Sequence, residues 1–265
     1  MPPSPRMFPR LHLTLAALGI LSLLAFNGCG DDNEDKTPTS PGGGGSTSFF
    51  GTYVNGSESG MMTITVNTTS LAGALQANAT RTASVTASGT ITPDGYASFP
   101  LTGTYDAATD SLYLSDGVYF FGGKYGTIGS VTGIAGRYIG GHGYGQFGCV
   151  QGTSSSIQIY CGTYQNADVS DTGNWNLVVS GISIVGVSFQ TGDDQGIPFQ
   201  GIIAGTGTTR SITVGHDDGS GNTLSATGSL NTTTHVMSGV WHTYASSSPV
   251  DNGTWTADLC TTSTP

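Results

Sequence analysis

Charged residues are scarce in this chain, above all those that build the outer faces of helices. Only 9% of the 265 residues are Asp, Glu, Lys or Arg, and Glu and Lys occur twice each. An amphipathic helix needs such side chains on its solvent face, so a helical fold is disfavoured. The 42 glycines, with many Thr, Ser, Val, Ile and Tyr residues, favour short strands and tight turns instead.

Positive charge is particularly scarce. The chain has seven Lys and Arg residues against 17 Asp and Glu residues, which gives a formal net charge of -10. A protein that binds nucleic acid needs a basic surface to neutralise phosphates. We therefore expect no nucleic-acid partner.

Signatures of catalysis and metal binding are also missing. The chain has no Gly-x-Ser-x-Gly motif, and Glu58 is the only Glu after the N-terminal region, which excludes a Glu-pair glycosidase but leaves an Asp pair open. His216–Asn222 lacks the distal Glu of a calcium loop and is interpreted as a turn. His235 and His242 are seven apart on one predicted strand and so face opposite sides. We expect no catalytic residues, metal or cofactor.

The first 28 residues differ from the rest of the chain. Arg6 and Arg10 precede an apolar run, Leu11–Phe26, that is too short for a comfortable membrane span. The run is followed by Asn27 and then Gly28-Cys29, which resembles a bacterial lipoprotein signal. The resemblance implies that residues 1–28 are removed and that Cys29 carries the lipid, palmitate included. An uncleaved anchor or ordinary secretion stays open.

Residues 29–48 contain almost nothing that a core could bury, so they are predicted to form a tether. The acidic stretch 31–35 resembles signals that send some lipoproteins to the cell surface, and a solvated linker is the alternative. Gly30 directly follows Cys29. Lipoproteins that stay in the inner membrane carry Asp at this position, so the resemblance argues against retention there. We expect a lipid-anchored, extracytoplasmic protein of the outer membrane or cell surface, whose anchor is its contact with the membrane.

The rest of the chain repeats itself. Short alternating runs bounded by Gly, Asn, Asp or Ser occur twice in one order, which predicts two tandem antiparallel β-meander units, 49–157 and 158–265. The matching segments are Gly51–Asn55 with Gly162–Asn166, Arg137-Tyr138 with Thr243-Tyr244, and Gly145–Phe147 with Gly253–Trp255.

The second unit contains eight candidate strands. An all-β fold of eight-stranded up-and-down barrels is therefore predicted, with β-sandwiches as the alternative. The first unit divides similarly, with a longer excursion around Tyr119–Gly129. The candidate strands of the second unit centre on Thr163-Tyr164, Trp175–Val179, Ile184–Phe189, Phe199–Ile203, Ser211–Val214, Thr223–Thr227, Val236–Trp241 and Thr254–Leu259.

The cysteines test closure of the second unit. Cys161 opens this unit and Cys260 ends it, and in an even-numbered meander barrel the first and last strands are neighbours. A Cys161–Cys260 disulfide is therefore predicted, and export permits it. A Cys149–Cys161 bond is the alternative.

The pattern resembles the calycin superfamily and, within it, the avidin-like barrels. Gly-Thr-Tyr-x-Asn followed by Ser four residues later is similar to their first strand, whose Asn and Ser bind the ureido ring of biotin. The resemblance implies ligand contacts from Asn55, Ser59, Asn166 and Ser170, and stacking on Phe147 and Trp255. Leu71–Leu75 resembles the third strand of that family and Leu101–Asp106 the fourth. Exported bacterial surface proteins with Gly-Thr-Tyr and Ser-Gly-x-Trp strands are similar too.

The resemblance to avidin-like proteins is incomplete in the pocket. The third-strand Tyr and Ser that complete the ureido site would be Leu75 and Ala77, which offer no side-chain hydrogen bonds. Unpaired polar groups on a buried ligand cost about 1–3 kcal/mol each. We therefore expect no tight binding of biotin.

These observations favour a non-catalytic module for ligand binding or adhesion, with a small molecule or a glycan as the partner. The alternatives are a structural surface or matrix protein with filled barrels and, less favoured, a binder of biotin-like molecules. A cavity inside a barrel would favour binding.

Lipidation is the most direct prediction of the sequence. Metabolic labelling with a palmitate analogue should mark the wild-type protein, and Cys29→Ser should remove the label because the lipid attaches through this thiol. Equal labelling of both proteins would contradict the lipid anchor.

Overall fold

A computed structural model describes residues 45–67 and 84–261, which form two closed antiparallel barrels. The predicted all-β class and the eight-stranded barrels are confirmed, and the sandwich alternative is wrong because both sheets close. Cys29 lies outside the described residues, as do Leu71–Leu75 and Ala77. Within the described part of the chain, no helix has the length and apolar character that a membrane crossing requires.

Barrel one is an uninterrupted meander in which each strand pairs with the next and β1 pairs with β8. The strand that pairs with β2 and β4 is β3, and the expected strand at Leu71–Leu75 lies outside the described residues; the expected fourth strand is confirmed as β4. The strands are β1 (Ser46–Val54), β2 (Ser59–Asn67), β3 (Ser84–Pro93), β4 (Phe99–Asp106), β5 (Ser111–Ser115), β6 (Phe120–Ile128), β7 (Val131–Gly140) and β8 (Gly143–Gln151).

Barrel two has the same topology, and each of its strands contains the predicted segment. It is closed by pairing of β9 with both β10 and β16. The strands are β9 (Ile157–Asn166), β10 (Thr172–Ser180), β11 (Ser183–Gln190), β12 (Gly196–Ala204), β13 (Thr209–Asp217), β14 (Asn222–Asn231), β15 (Val236–Ala245) and β16 (Ser248–Leu259).

The strand ends differ slightly from the expected segment boundaries. β1 begins at Ser46, inside the predicted tether, because Ser46 pairs with Asn67 of β2. β9 begins at Ile157, the last residue assigned to the first unit. The expected excursion around Tyr119–Gly129 is mostly regular strand β6. His235 precedes β15 in a turn with φ of 56°, rather than lying on the strand with His242.

Each barrel is filled by inward-facing side chains, as alternation along the strands requires. Barrel one contains Tyr53, Phe121, Tyr138 and Phe147 among aliphatic residues. Barrel two packs three tryptophans, Trp175, Trp241 and Trp255, with Tyr164 and Phe199. The Trp175 ring stacks on Phe199 with centroids 4.4 Å apart and on Trp255 at 5.6 Å.

Strand register gives the correspondence between the barrels. Tyr53 pairs with Phe147 across β1 and β8, as Tyr164 pairs with Trp255 across β9 and β16. The matches at Gly51–Asn55 and Gly145–Phe147 are thereby confirmed. Tyr138 pairs with Gly145, two residues before Phe147, and Trp241 pairs with Gly253, two residues before Trp255. Tyr138 and Trp241 are therefore equivalent. The match of Tyr138 to Tyr244 is therefore wrong.

The outer face of β1 packs on barrel two. The Asn176 amide, fully buried on the outer face of β10, donates to Thr52 Oγ1 at 2.7 Å. Nearer one end, Asn174 donates its Nδ2 hydrogen to the Asn55 carbonyl at 2.6 Å. Both asparagines thus find partners in the other barrel, which satisfies polar groups that a packed sheet face would otherwise leave unpaired.

Apolar side chains extend this contact on either side of the asparagines. One cluster joins residues of β1, β8 and the adjoining ends of β6 and β7 to residues of β9, β10 and β11: Phe50, Ile128, Val131, Val150, Ile157, Ile159, Val178 and Val185. A second cluster packs Val54 of barrel one on Val187 and Phe189 of barrel two. Outward-facing apolar residues on these strands therefore belong to an interface between the barrels.

The predicted disulfide is confirmed. Cys161 and Cys260 are bonded, with α-carbons 4.9 Å apart and a sequence separation of 99. The Cys149–Cys161 alternative is wrong because Cys149 is a free thiol inside barrel one. Burial raises the pKa of the Cys149 thiol well above its usual value, which leaves it unreactive in the folded protein.

Loss of this disulfide should weaken the fold. Closing a loop of 99 residues restricts the unfolded chain, and the chain-entropy model gives roughly 4–5 kcal/mol for such a loop, less whatever residual structure the unfolded state keeps. Cys161→Ser/Cys260→Ser should therefore unfold at lower urea concentration than the wild type. Dithiothreitol should shift the wild type toward the variant and leave the variant unchanged; coincident curves for wild type and variant without reductant would contradict a stabilising bond.

Candidate functional site

One end of each barrel collects the polar side chains expected from the sequence. We call it the upper end: it carries the turns β1–β2, β3–β4, β5–β6 and β7–β8 in barrel one, and β9–β10, β11–β12, β13–β14 and β15–β16 in barrel two. Asn55, Ser59, Asn166 and Ser170 all lie here. The two upper ends adjoin, since a Cβ on Gly56 would lie 2.7 Å from the Gln190 carbonyl oxygen.

The Asn55 side chain shapes the β1–β2 turn. Its Oδ1 accepts hydrogen bonds from the backbone N–H groups of Ser57 at 2.7 Å and Glu58 at 2.8 Å. Its Nδ2 makes longer contacts to Glu58 Oε1 at 3.4 Å and the His142 carbonyl at 3.5 Å. Asn55 is thus an Asx-type turn residue whose polar atoms already have partners in the fold.

Asn166 has the same role in barrel two. Its Oδ1 accepts from the Asp171 N–H at 3.0 Å, and its Nδ2 donates to Ser170 Oγ at 3.1 Å. Ser170 lies in the turn, whereas Ser59 begins β2 and pairs with Val54. The residue equivalent to Ser59 is Thr172, which pairs with Gln165. The two serines that the sequence aligned therefore stand at different places.

Phe147 and Trp255 lie in the barrel cores. Phe147 meets Phe121 edge-on, with ring centroids 5.5 Å apart, and Trp255 stacks on Trp175. Both side chains are almost completely buried. Their rings therefore belong to the packing beneath the upper ends, and a ligand would reach them only through the layer above.

Sequence reasoning missed a carboxylate that both barrels carry at one position. The Asn55 N–H donates to the Glu58 carbonyl, and the Asn166 N–H donates to the Asp171 carbonyl, both at 2.9 Å. Glu58 and Asp171 each come directly before the second strand and two residues before a glycine. A Cβ on Gly60 or Gly173 would clash with the ring of Tyr53 or Tyr164, at 2.9 and 2.6 Å respectively. An acidic residue, a hydroxyl residue and Gly thus form a repeated signal.

In barrel one this carboxylate is held by tyrosines. Tyr119 donates its hydroxyl to Glu58 Oε2 at 2.9 Å, and Tyr138 donates to Glu58 Oε1 at 3.2 Å. Burial and the Glu58 carboxylate raise the pKa of Tyr119 to about 12, and they raise the pKa values of Tyr53 and Tyr138 still further. All three phenols remain protonated at neutral pH, so they can act as donors. Aromatic rings and Glu58 seal the upper end of barrel one.

In barrel two the same layer is polar and incompletely paired. Cross-strand partners share a face of a sheet, so Thr243, Asp251, Ser188 and Gln190 point inward with their core neighbours. Several buried polar atoms of this barrel lack a hydrogen-bond partner: Tyr164 Oη, Asp171 Oδ2, Trp175 Nε1, Ser188 Oγ, Thr243 Oγ1, Asp251 Oδ2 and Trp255 Nε1. Buried polar groups are normally paired, and each exception needs an explanation.

Register shows that barrel one is less polar at these positions. Gly60 and Gly173, which lie against the rings of Tyr53 and Tyr164, pair with Pro93 and Gln190. Ile91 and Ser188 each come two residues before these partners, so they correspond. Thr243 corresponds to Gly140, and Asp251 to Gly143, which pairs with it. The two upper ends thus share a tyrosine and a carboxylate but differ in the rest of the layer.

Carboxylates dominate the electrostatics of the upper end of barrel two. Burial raises the pKa of Tyr164, and the negative charges of Asp171, Asp193 and Asp251 raise it further. Burial also raises the pKa of Asp171; Asp251 and Asp193 add to this, while a hydrogen bond from the Gln190 side chain opposes it. These shifts identify several like charges close to one buried hydroxyl.

The turns nearby are stabilised by their own side chains. Asp218 accepts hydrogen bonds from the N–H groups of Ser220 and Asn222 at 2.8 and 3.1 Å, so His216–Asn222 contains the predicted turn. An open depression of about 470 Å³ lies beside it, lined by Asp217, Gly221, Thr223, Tyr244, Ser246 and Ser247. Within residues 45–67 and 84–261, no group of three His, Cys, Asp or Glu residues could hold a metal ion.

These observations define the class: a tandem pair of closed eight-stranded antiparallel barrels, consistent with calycin-like units, whose second member has an incompletely paired polar end. No family model, curated protein or solved structure matches the chain.

Neutralising the two equivalent carboxylates should have opposite effects. A carboxyl whose folded pKa is raised contributes stability below its unfolded pKa and loses it as pH rises through the folded value. Asp171→Asn should therefore raise the melting temperature at pH 7, and the gain should shrink as the pH falls and wild-type Asp171 becomes protonated. Glu58→Gln should lower stability by about 1 kcal/mol, since it weakens two hydrogen bonds from tyrosines. Destabilisation by Asp171→Asn at pH 7 would show that a partner already compensates its charge.

Proposed function

We propose that this protein is an exported, lipid-anchored binding module without catalytic activity, and that its ligand enters the upper end of barrel two. The anchor is Cys29, and residues 30–45 connect it to barrel one. A fully extended chain of this length reaches about 55 Å. Barrel one therefore acts near the membrane surface in this proposal, with barrel two packed against it.

The observation that carries the binding proposal is the contrast between the two upper ends. A barrel that only has to be filled would gain stability from apolar side chains, as at Ile91 in barrel one. Barrel two instead has Ser188 Oγ and Thr243 Oγ1 buried without a partner. Stability given up in this way is typical of functional sites, where a ligand supplies the missing hydrogen bonds.

Barrel one has a structural role in this proposal and does not bind the ligand. Its inward-facing rings are interlocked, with Tyr53 and Tyr138 at 5.5 Å and Phe121 and Tyr138 at 5.0 Å between centroids. The Glu58 carboxylate is engaged by two phenols above them. The alternative of a structural surface protein draws on the same packing, and it would require the polar layer of barrel two to be filled by its own hydrogen bonds.

A glycan on the outer surface is a second candidate, favoured by the depression beside Tyr244. Its lining combines an aromatic ring with hydroxyls and the Asp217 carboxylate, the groups that hold sugars by stacking and hydrogen bonding. Tyr244→Ala should remove glycan binding at this position without affecting a ligand inside barrel two.

The polar layer should prove costly to stability and necessary for binding. Ser188→Ala and Thr243→Val should each raise the free energy of unfolding by about 1 kcal/mol, because each removes an unpartnered buried hydroxyl. Thr256→Val, on the exposed face of β16, is the matched control. The double variant Ser188→Ala/Thr243→Val is then compared with the wild type by calorimetry. Among glucose, N-acetylglucosamine, glycine, ethanolamine, 1,4-butanediol, 1,4-diaminobutane and biotin, we expect a compound that the wild type binds and the double variant does not. Biotin should not be that compound.

Two results would contradict the proposal. Loss of stability in both hydroxyl variants would mean that these groups already have partners. Equal binding of every positive compound by the wild type and the double variant would move the ligand away from the upper end of barrel two.

A further inference from the structure

We propose that the upper end of barrel two binds a small organic cation, an aliphatic amine in its ammonium form. This inference rests on the proposed function and adds the class of ligand. It derives from the placement of the carboxylates, the unpartnered oxygens beside them and the lack of Lys and Arg side chains at that end.

Charge in barrel two is strongly separated between its ends. Seven of its eight carboxylates lie on the upper turns or the adjoining strand ends: Asp168, Asp171, Asp193, Asp194, Asp217, Asp218 and Asp251. The eighth, Asp258, lies near the other end of β16. Its single Lys or Arg residue, Arg210, stands near the start of β13, also away from the upper end. His216 lies at the upper end of β13 in register with Leu224, and burial lowers its pKa, so it is uncharged at pH 7. A field of this sign attracts cations and repels anions.

Two of these carboxylates and a phenol form the inner part of the site. Asp171 is 7% exposed and Tyr164 is 2% exposed, so both are more than nine-tenths buried. Asp171 Oδ2, Asp251 Oδ2, Tyr164 Oη and Thr243 Oγ1 all lack hydrogen-bond partners. Asp251 is the cross-strand neighbour of Thr243, and the Tyr164 hydroxyl interacts electrostatically with Asp171 and Asp251. The unpartnered oxygens therefore converge on one region.

The chemistry of these atoms selects an ammonium group. Carboxylate oxygens are acceptors, and hydroxyl oxygens can accept as well. An ammonium ion offers three donors and a positive charge, so it would pair acceptors that the fold leaves unpaired and offset the repulsion between Asp171 and Asp251. A neutral hydroxyl group would supply fewer donors and would leave the charges uncompensated.

A bound metal ion suits the same residues less well. Calcium needs six to eight oxygen ligands at 2.3–2.6 Å, drawn together around one point. Among the residues that the structure describes, no three acidic, His or Cys side chains are close enough to hold such an ion. Two carboxylates beside hydroxyl oxygens match an organic ammonium ion, whose methylene groups can lie against aromatic rings such as Tyr164.

Barrel one provides an internal comparison. There the equivalent carboxylate, Glu58, already accepts from Tyr119 and Tyr138, and glycines stand in place of Thr243 and Asp251. Among the described residues of its upper end, Tyr53 Oη is unpartnered, but both oxygens of Glu58 already accept hydrogen bonds. One amine per chain, in barrel two, is the stoichiometry that this arrangement predicts.

The test compares a diamine with its neutral analogue. Titration calorimetry of the full chain with 1,4-diaminobutane and with 1,4-butanediol at low ionic strength should show saturable binding of the diamine alone, at one site per chain. Asp171→Asn and Asp251→Asn should each weaken it at least tenfold. Asp258→Asn removes a carboxylate at the far end, and Glu58→Gln neutralises the equivalent position in barrel one; both should leave the affinity unchanged. Far-UV circular dichroism checks that every variant folds.

Each other outcome has a defined meaning. If butanediol or another neutral compound binds at the polar layer while the diamine does not, the ammonium inference is overturned and the proposed function stands. If the diamine binds but Asp258→Asn weakens it as much as Asp251→Asn, the attraction is general and the site is wrong. If no compound tested binds barrel two, the proposed function fails together with the inference.

Discussion

The rest of this structure depends on one constraint: a closed eight-stranded barrel has an interior that its own inward side chains must fill. Every second residue of every strand therefore belongs to a single packed volume, and a change of size at one position has to be matched across the barrel. Barrel one meets the requirement with tyrosines and phenylalanines, barrel two with three tryptophans. Both interiors are filled by these side chains, so the proposed ligand is placed at the end of barrel two, above the packed core.

The upper ends are where the two barrels differ most. Both retain a tyrosine, an asparagine that shapes the first turn and a carboxylate before the second strand, as in Tyr53, Asn55 and Glu58. Barrel one pairs the Glu58 carboxylate with the hydroxyls of Tyr119 and Tyr138, and Tyr53 Oη is left without a partner. Barrel two leaves one oxygen of the corresponding carboxylate, Asp171 Oδ2, and the hydroxyls of Tyr164, Ser188 and Thr243 without partners. In the proposed function, barrel one supplies a well-packed support, joined to barrel two through Thr52 and Asn176, and barrel two tolerates a less stable end where the ligand binds.

The alternation of apolar residues and the turn residues between them were enough to predict the strands of barrel two and its closing disulfide. The sequence did not single out β3, because its Ser, Thr and Gly residues are typical of turns as well as strands. Asp251 escaped alignment because the register shifts by one residue between Thr243 and Tyr244, which a period of two cannot reveal. The correspondence between Glu58 and Asp171 could not be aligned from the sequence, because the turns that contain them differ in length. Buried asparagines on outward faces depend on the packing of one barrel on the other, which no single strand pattern contains.

The central claim is that the upper end of barrel two binds a ligand and the upper end of barrel one does not. A high-resolution crystal structure of the protein, isolated without denaturation, tests this most directly. The account predicts non-protein density, from ordered water or a bound molecule, in contact with Tyr164 Oη, Thr243 Oγ1 and the Asp171 carboxylate, and none at the equivalent layer of barrel one beneath Glu58. An upper end of barrel two in which these same atoms hydrogen-bond only to one another, with no density between them, would contradict it.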